Sequence, residues 1–176
     1  MRRSQHPFKN QNLSLNHVAV AVDDLDKVAE WYGKHFGFRR IKKDGGVDSA
    51  TDPPEHPMFR LYGNELKKVK IAWLVSGNNV GFEIFQFIDP PTKSAEELRD
   101  EFKLSNQYQR GGLFHIGVTI PDPDALAKVL CEDGAVQVGE TLQMWDGETA
   151  LYLRDPWGMI VELMSGGYEQ VMANRD

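Results

Sequence analysis

The strongest constraint in this 176-residue chain is that it contains one pattern twice. Leu15–Arg39, LNHVAVAVDDLDKVAEWYGKHFGFR, aligns with Leu113–Gln137, LFHIGVTIPDPDALAKVLCEDGAVQ, at an offset of 98 residues, the spacing from His17 to His115. Leu15, His17, Val20, Asp24, Asp26 and Ala29 meet identical residues at Leu113, His115, Val118, Asp122, Asp124 and Ala127. A repeat of this length implies two copies of one supersecondary unit rather than one long irregular fold.

Each copy opens with a strand-like alternation. Val18, Val20 and Val22 fall on one face and His17, Ala19 and Ala21 on the other; in the second copy Ile116, Val118 and Ile120 oppose His115, Gly117 and Thr119. Each histidine therefore shares its face with small residues. A helix follows in each case. Asp23 or Asp24 can cap the first, with Leu25, Val28, Ala29, Tyr32 and Phe36 at helical spacing and Gly37 as a stop. The second spans about Asp122 to Asp133, uses Leu126, Val129 and Leu130, and ends at Gly134.

Each copy closes on a β-rich run, VGFEIFQF at Val80–Phe87 and GMIVELMS at Gly158–Ser165. These place Glu83 and Glu162 in segments of high β propensity, where a buried carboxylate requires a hydrogen-bonding partner or a metal. A two-fold arrangement of the copies would bring His17, Glu83, His115 and Glu162 to one point. Two imidazoles and two carboxylates suit one divalent ion of Zn, Fe, Mn, Ni or Co, with one or two positions left open for chemistry.

Charge and composition narrow the partners. A net charge of -6 leaves no basic surface for nucleic acid or anionic lipid, and no apolar run approaches the ~20 residues of a transmembrane helix. A small-molecule substrate is the expected partner. Cys131 has no mate for a disulfide, so a reducing, cytoplasmic setting is expected. Residues Met1–Asn16 are polar and lack the apolar core of a secretory signal. The expected organisation is an arm at 1–14, a first module at 15–88, a linker at 89–112, a second module at 113–168 and a tail at 169–176. Within the linker, Ser94–Leu104 is expected to be helical.

The two modules, the LNHVAV and FHIGVT strands, the FEIF and VELM strands and the DPWG turn at Asp155–Gly158 resemble the vicinal oxygen chelate superfamily, the glyoxalase, bleomycin-resistance and extradiol dioxygenase group. That resemblance implies an α+β fold of two βαβββ modules forming a cupped mixed sheet with helices on its outer face, commonly as a homodimer. It also implies metal ligands at His17, Glu83, His115 and Glu162, with lyase or isomerase chemistry in which Glu162 or Glu83 carries a proton. The likeness slightly favours Glu162. Glyoxalase I is similar in its ligand pattern, yet it carries an arginine and an asparagine where this chain has Ala21 and Phe87, so glutathione dependence is not expected.

Two further readings belong to the same resemblance. An extradiol-type dioxygenase would hold Fe(II) with His17, His115 and Glu162 alone, and a resistance protein would bind a small molecule without turning it over. Phe85, Phe87, Trp73, Trp145, Arg110 and His56 are the expected substrate contacts, with Asp146 and Tyr152 as further candidates. The gap from histidine to glutamate is 66 residues in the first copy and 47 in the second. The surplus is expected in a loop over Lys43–Pro57, as a lid.

Overall fold

An aspartate that hydrogen-bonds an exposed helical amide starts each long helix. Asp24 Oδ1 accepts from the amide of Lys27 at 3.2 Å to open α1 (Leu25–Phe36), and Asp122 Oδ1 accepts from Ala125 at 2.9 Å to open α3 (Pro123–Glu132). Gly37, in the left-handed region at φ 68°, closes α1. The computed structural model describes residues 13–98, 109 and 111–173. The chain divides into two compact units, Met1–Pro90 and Pro91–Asp176.

In the first unit, β1 (His17–Ala21) lies parallel to β5 (Gly81–Asp89), which pairs antiparallel with β4 (Lys68–Val75). Two short strands, β2 (Arg39–Arg40) and β3 (Gly45–Asp48), pair with opposite ends of β4. In the second unit, β6 (Ile116–Thr119) lies parallel to β9 (Ile160–Met164), followed by β8 (Thr149–Arg154) and β7 (Val136–Gln143), each antiparallel to its neighbour. The β2–β3 interruption corresponds to the irregularity between Val138 and Leu142 in β7. Both units are thus βαβββ, one sheet of five strands and one of four, and the fold is α+β.

Each sheet buries one face under its helix. Leu25, Val28, Ala29 and Tyr32 of α1 are buried with Ala72, Leu74, Phe82 and Ile84, and the Tyr32 and Phe82 rings lie 4.7 Å apart. Each such large side chain contributes about 1.5–3 kcal/mol by leaving water. In the second unit Ala127 and Leu130 of α3 are buried, as are Leu151, Leu153, Val161 and Leu163. Val129 does not join them. It is 47% exposed, because Ala127 and Leu130, three apart, already define the inward stripe.

The region between Lys43 and Pro57 is more ordered than a lid loop. Gly45 and Gly46 fall within the expected loop, but they sit in β3, where a Cβ on Gly46 would stand 2.0 Å from the Val69 carbonyl oxygen and one on Gly45 would stand 2.7 Å from the Trp73 ring. Close approach to β4, rather than a turn, is what requires glycine there. The additional length falls between Asp48 and Lys68 and contains α2 (Pro57–Tyr62). Phe59 of α2 packs with Val47, Leu66, Val69, Ile71 and Phe85, so this segment builds a second small core. In the second unit, α4 (Tyr168–Met172) buries Val171 against Ala150 and Met164. Of the stretch expected to be helical at Ser94–Leu104, residues 95–98 form turns and the remainder lies outside the described residues. Among the described residues no helix is long and apolar enough to cross a membrane.

Candidate metal centre

Strand register, not proximity in sequence, brings each histidine to its glutamate. In the first unit β1 and β5 pair His17 with Gly81 and Ala19 with Glu83. In the second, β6 and β9 pair Gly117 with Glu162. The glutamate thus stands opposite the residue two beyond the histidine in both units, and side chains two apart share one face of a sheet. That face is the one turned away from the helix. The small residues at Ala19 and Gly117 leave the two side chains room to meet.

They meet in both units. His17 Nε2 is 3.8 Å from Glu83 Oε2, and His115 Nε2 is 3.1 Å from Glu162 Oε2. Two ligands bound at about 2.0–2.2 Å to one tetrahedral or octahedral ion lie roughly 3.0–3.5 Å apart. The second pair is within that range and the first needs only a small closing movement. Within neither unit do three or more His, Cys, Asp or Glu side chains gather among the described residues, so each unit offers two donors.

The hydrogen bonding of His17 is compatible with a cation beside Nε2. Its Nδ1 is 2.8 Å from Asn16 Oδ1, and with the proton on Nδ1 the Nε2 lone pair faces a carboxylate oxygen. Two such acceptors repel, and either a metal ion between them or a proton on Nε2 relieves that repulsion. Asn16 also orients the ring, as the outer partners of metal-bound histidines do. Sequence reasoning missed it, although it directly precedes the histidine. His115 differs: among the described residues its buried Nδ1 has no hydrogen-bond partner.

The two glutamates differ in their other neighbours. Across the sheet, Trp73 stands opposite Glu83 and Tyr152 stands opposite Glu162. Tyr152 hydrogen-bonds to Glu162, and its ring lies edge-on to His115 at 5.3 Å. Burial, then the bond to Glu162 and the carboxylate charge, push the Tyr152 hydroxyl up to about 12. Among the described residues Trp73 makes no equivalent bond to Glu83. Its ring instead lies 3.5 Å beneath the Lys42 ammonium. The Glu162 side chain is 11% exposed and that of Glu83 24%, so the second carboxylate is the more enclosed.

The aromatic candidates separate. Trp73 and Phe87 are partly buried beside the Phe85 cluster, on the Glu83 face, and Phe85 stacks on Phe87 at 5.9 Å. Trp145 is 54% exposed in the short 3-10 helix Trp145–Gly147 of the second unit, which also contains Asp146. His56 caps α2, its Nδ1 accepting from the Met58 amide at 3.2 Å. Arg110 lies outside the described residues.

Comparison with known proteins identifies the family and the fold. The family model described as Glyoxalase/Bleomycin resistance protein/Dioxygenase superfamily matches residues 14–163. A 2-epi-5-epi-valiolone epimerase from Actinomyces sp. is 26% identical over 161 residues, covering 87% of this chain and 79% of its own. Among solved structures, a glyoxalase family protein from Bacillus cereus superposes with a TM-score of 0.68 at 22% identity, over 89% of this chain and 95% of its own. A fosfomycin resistance protein, FosX, from Listeria monocytogenes, complexed with Mn(II) and 1S,2S-dihydroxypropylphosphonic acid, superposes with a TM-score of 0.59 at 15% identity, over 94% and 100%. The two structural likenesses concern the fold.

Proposed function

This chain belongs to the glyoxalase/bleomycin resistance protein/dioxygenase superfamily, and from that premise we propose that it is a divalent-metal-dependent isomerase or lyase acting on a small carbonyl- and hydroxyl-bearing substrate. The observation that carries the reading is the His–Glu register repeated in both units. His17, Glu83, His115 and Glu162 are the proposed ligands of one ion, whether the two pairs come from one chain or from two copies in a homodimer. When bound, a divalent ion supplies the positive charge that makes proton loss beside a carbonyl feasible.

The chain's own groups then do the following. A glutamate carboxylate takes a proton from the carbon beside the carbonyl and later returns it, as a general base and then a general acid. Returning it to the opposite face of that carbon is epimerisation, which the similarity to an epimerase favours over elimination. Trp73, Phe85 and Phe87, on the Glu83 face, offer apolar contact to the substrate skeleton. Ala21 and Phe87 carry neither the charge nor the amide that would hold glutathione, so the substrate is bound without it. Trp145, Arg110 and His56 complete the proposed substrate contacts, and the cytoplasm is the proposed setting.

The test is metal content followed by proton exchange. Protein loaded with Mn(II) and given a cyclic α-hydroxyketone in D2O is expected to exchange the carbon-bound proton, seen as loss of its NMR signal, and to stop on addition of EDTA. Absence of stoichiometric metal binding would sink the proposal. The wider His17–Glu83 separation favours one other reading, an Fe(II) dioxygenase in which Glu83 is not a ligand. Oxygen uptake with a catechol by the Fe(II)-loaded protein, without proton exchange, would select it.

A further inference from the structure

The two glutamates are equivalent by repeat and by register, yet they are held differently. Glu162 is bracketed by His115 at 3.1 Å and by the hydroxyl of Tyr152, its direct partner across β8–β9. A third contact closes the arrangement, the Tyr152 ring lying edge-on to His115 at 5.3 Å, so one tyrosine touches both donors of the second pair. Glu83 has in the equivalent place Trp73, which carries no hydroxyl and faces Gly45 and Lys42 instead. Among the described residues its carboxylate meets His17 at 3.8 Å, beyond hydrogen-bond distance. It is also the more exposed of the two.

We propose that Tyr152 is a positioning residue that keeps Glu162 a permanent metal ligand, and that Glu83 is the catalytic base, the carboxylate free to leave the ion and carry the proton. This deepens the proposed function and rests on it. The physical reason is that a ligand which must move needs few fixed partners, whereas one that must stay gains from an outer hydrogen bond that orients it. In the step assigned to Glu83, the substrate C–H bond breaks, an O–H bond forms on the Glu83 carboxyl, and the electron pair left behind moves to the neighbouring carbonyl oxygen. Return of the proton to carbon restores the carboxylate and completes the cycle without an outside reactant. The inference reverses the slight preference for Glu162 that family likeness carries.

Four proteins decide it: the natural chain, Glu83→Gln, Glu162→Gln and Tyr152→Phe, each checked for fold by circular dichroism. Mn(II) affinity is read from the free-ion EPR signal, and deuterium uptake from D2O into 2-hydroxycyclohexanone by NMR. Glu83→Gln is expected to keep Mn(II) affinity within a few-fold and to slow uptake about 100-fold or more. Glu162→Gln is expected to lose Mn(II) binding, and Tyr152→Phe to weaken it about 10- to 100-fold. Should Glu83→Gln lose Mn(II) as completely as Glu162→Gln, or Tyr152→Phe leave affinity unchanged, the division of roles is overturned. A natural chain that binds no Mn(II) removes the proposed function itself. One that binds Mn(II) and drives no uptake removes the Glu83 role, while the affinity series still judges Tyr152.

Discussion

Gly81 lies directly opposite His17 in the parallel register of β1 and β5, and a Cβ built on it would stand 2.8 Å from the Cβ of His17. No rotation of the imidazole relieves that contact, since it falls on the first atom of the side chain. Gly81→Ala must therefore shift the strand that carries the histidine. At Gly117, the residue opposite Glu162, an added Cβ would be 3.8 Å from Glu162 Oε2, an ordinary contact. We expect Gly81→Ala to lower Mn(II) affinity at least about tenfold and stability by about 1–3 kcal/mol. Gly117→Ala should change both far less. Calorimetric titration and urea unfolding measure the two quantities, and equal behaviour of the variants would show that the glycine opposite His17 has no special part in placing it.

The caps of the two long helices give a second expectation. Asp24 and Asp122 each hold an N-terminal amide; α1 packs against β4 and β5, the latter carrying Glu83, and α3 packs against β7 and β8. Asp24→Ala and Asp122→Ala should each cost about 1 kcal/mol, nearly additively because the sites share no partners. For Asp24 the pH dependence follows from its environment. Side-chain and backbone hydrogen bonds to Lys27, whose ammonium is 2.7 Å away, hold its carboxyl below the ordinary value of 3.8. A lowered folded-state value means that the stabilisation is present above pH 3.8 and lost as pH falls through the folded value. The difference in unfolding free energy between the natural chain and Asp24→Ala should thus be full at pH 7 and shrink below about pH 4. A difference that persisted undiminished at pH 2 would rule out the ionised cap.

Much of this architecture is legible in the sequence because the signals are local. Two-residue alternation places His17 with Ala19 and His115 with Gly117, the Asp caps mark both helices, and the two endings mark Glu83 and Glu162. What is not legible depends on which residue lies across the sheet. Gly45 and Gly46 fall in the expected loop because their need for glycine comes from Trp73 and Val69, more than 20 residues away. Tyr152 is a weak candidate until the β8–β9 register sets it against Glu162. His56 reads as a substrate contact, and the Met58 amide it caps is visible only once α2 is known to begin at Pro57.

That register depends on the Asp155–Gly158 turn, which gives the third expectation. Asp155 is 4% exposed, and its Oδ1 accepts from the amides of Trp157 at 3.0 Å and Met159 at 2.8 Å. Asp155→Ala leaves both amides without that acceptor, at a cost of about 2–4 kcal/mol. Asp155→Asn retains an oxygen there and should lose less than half as much. Because the turn joins β8 to β9, the alanine variant should also weaken Mn(II) binding through the Tyr152–Glu162 pair. Denaturation and metal titration on both variants test this; if Asp155→Asn were as damaging as Asp155→Ala, the hydrogen-bond account of the turn would fail.

Metal linkage asks the remaining question, whether the two pairs share one ion. A ligand that binds only the folded state stabilises it by about 2.7 kcal/mol at a concentration 100 times its Kd. For a chain of this size that corresponds to a rise in Tm of roughly 5–10 °C, reversed by EDTA. If His17–Glu83 and His115–Glu162 hold a single ion, His17→Ala and His115→Ala should each remove nearly all of that rise, and the double variant should lose no more than either single one. If each pair held its own ion, each single variant would retain part of the rise and the losses would add. The non-additive result is the one expected here, because a histidine and a carboxylate alone leave a divalent ion with too few protein ligands for tight binding, whereas two such pairs supply the three or four that catalytic sites use.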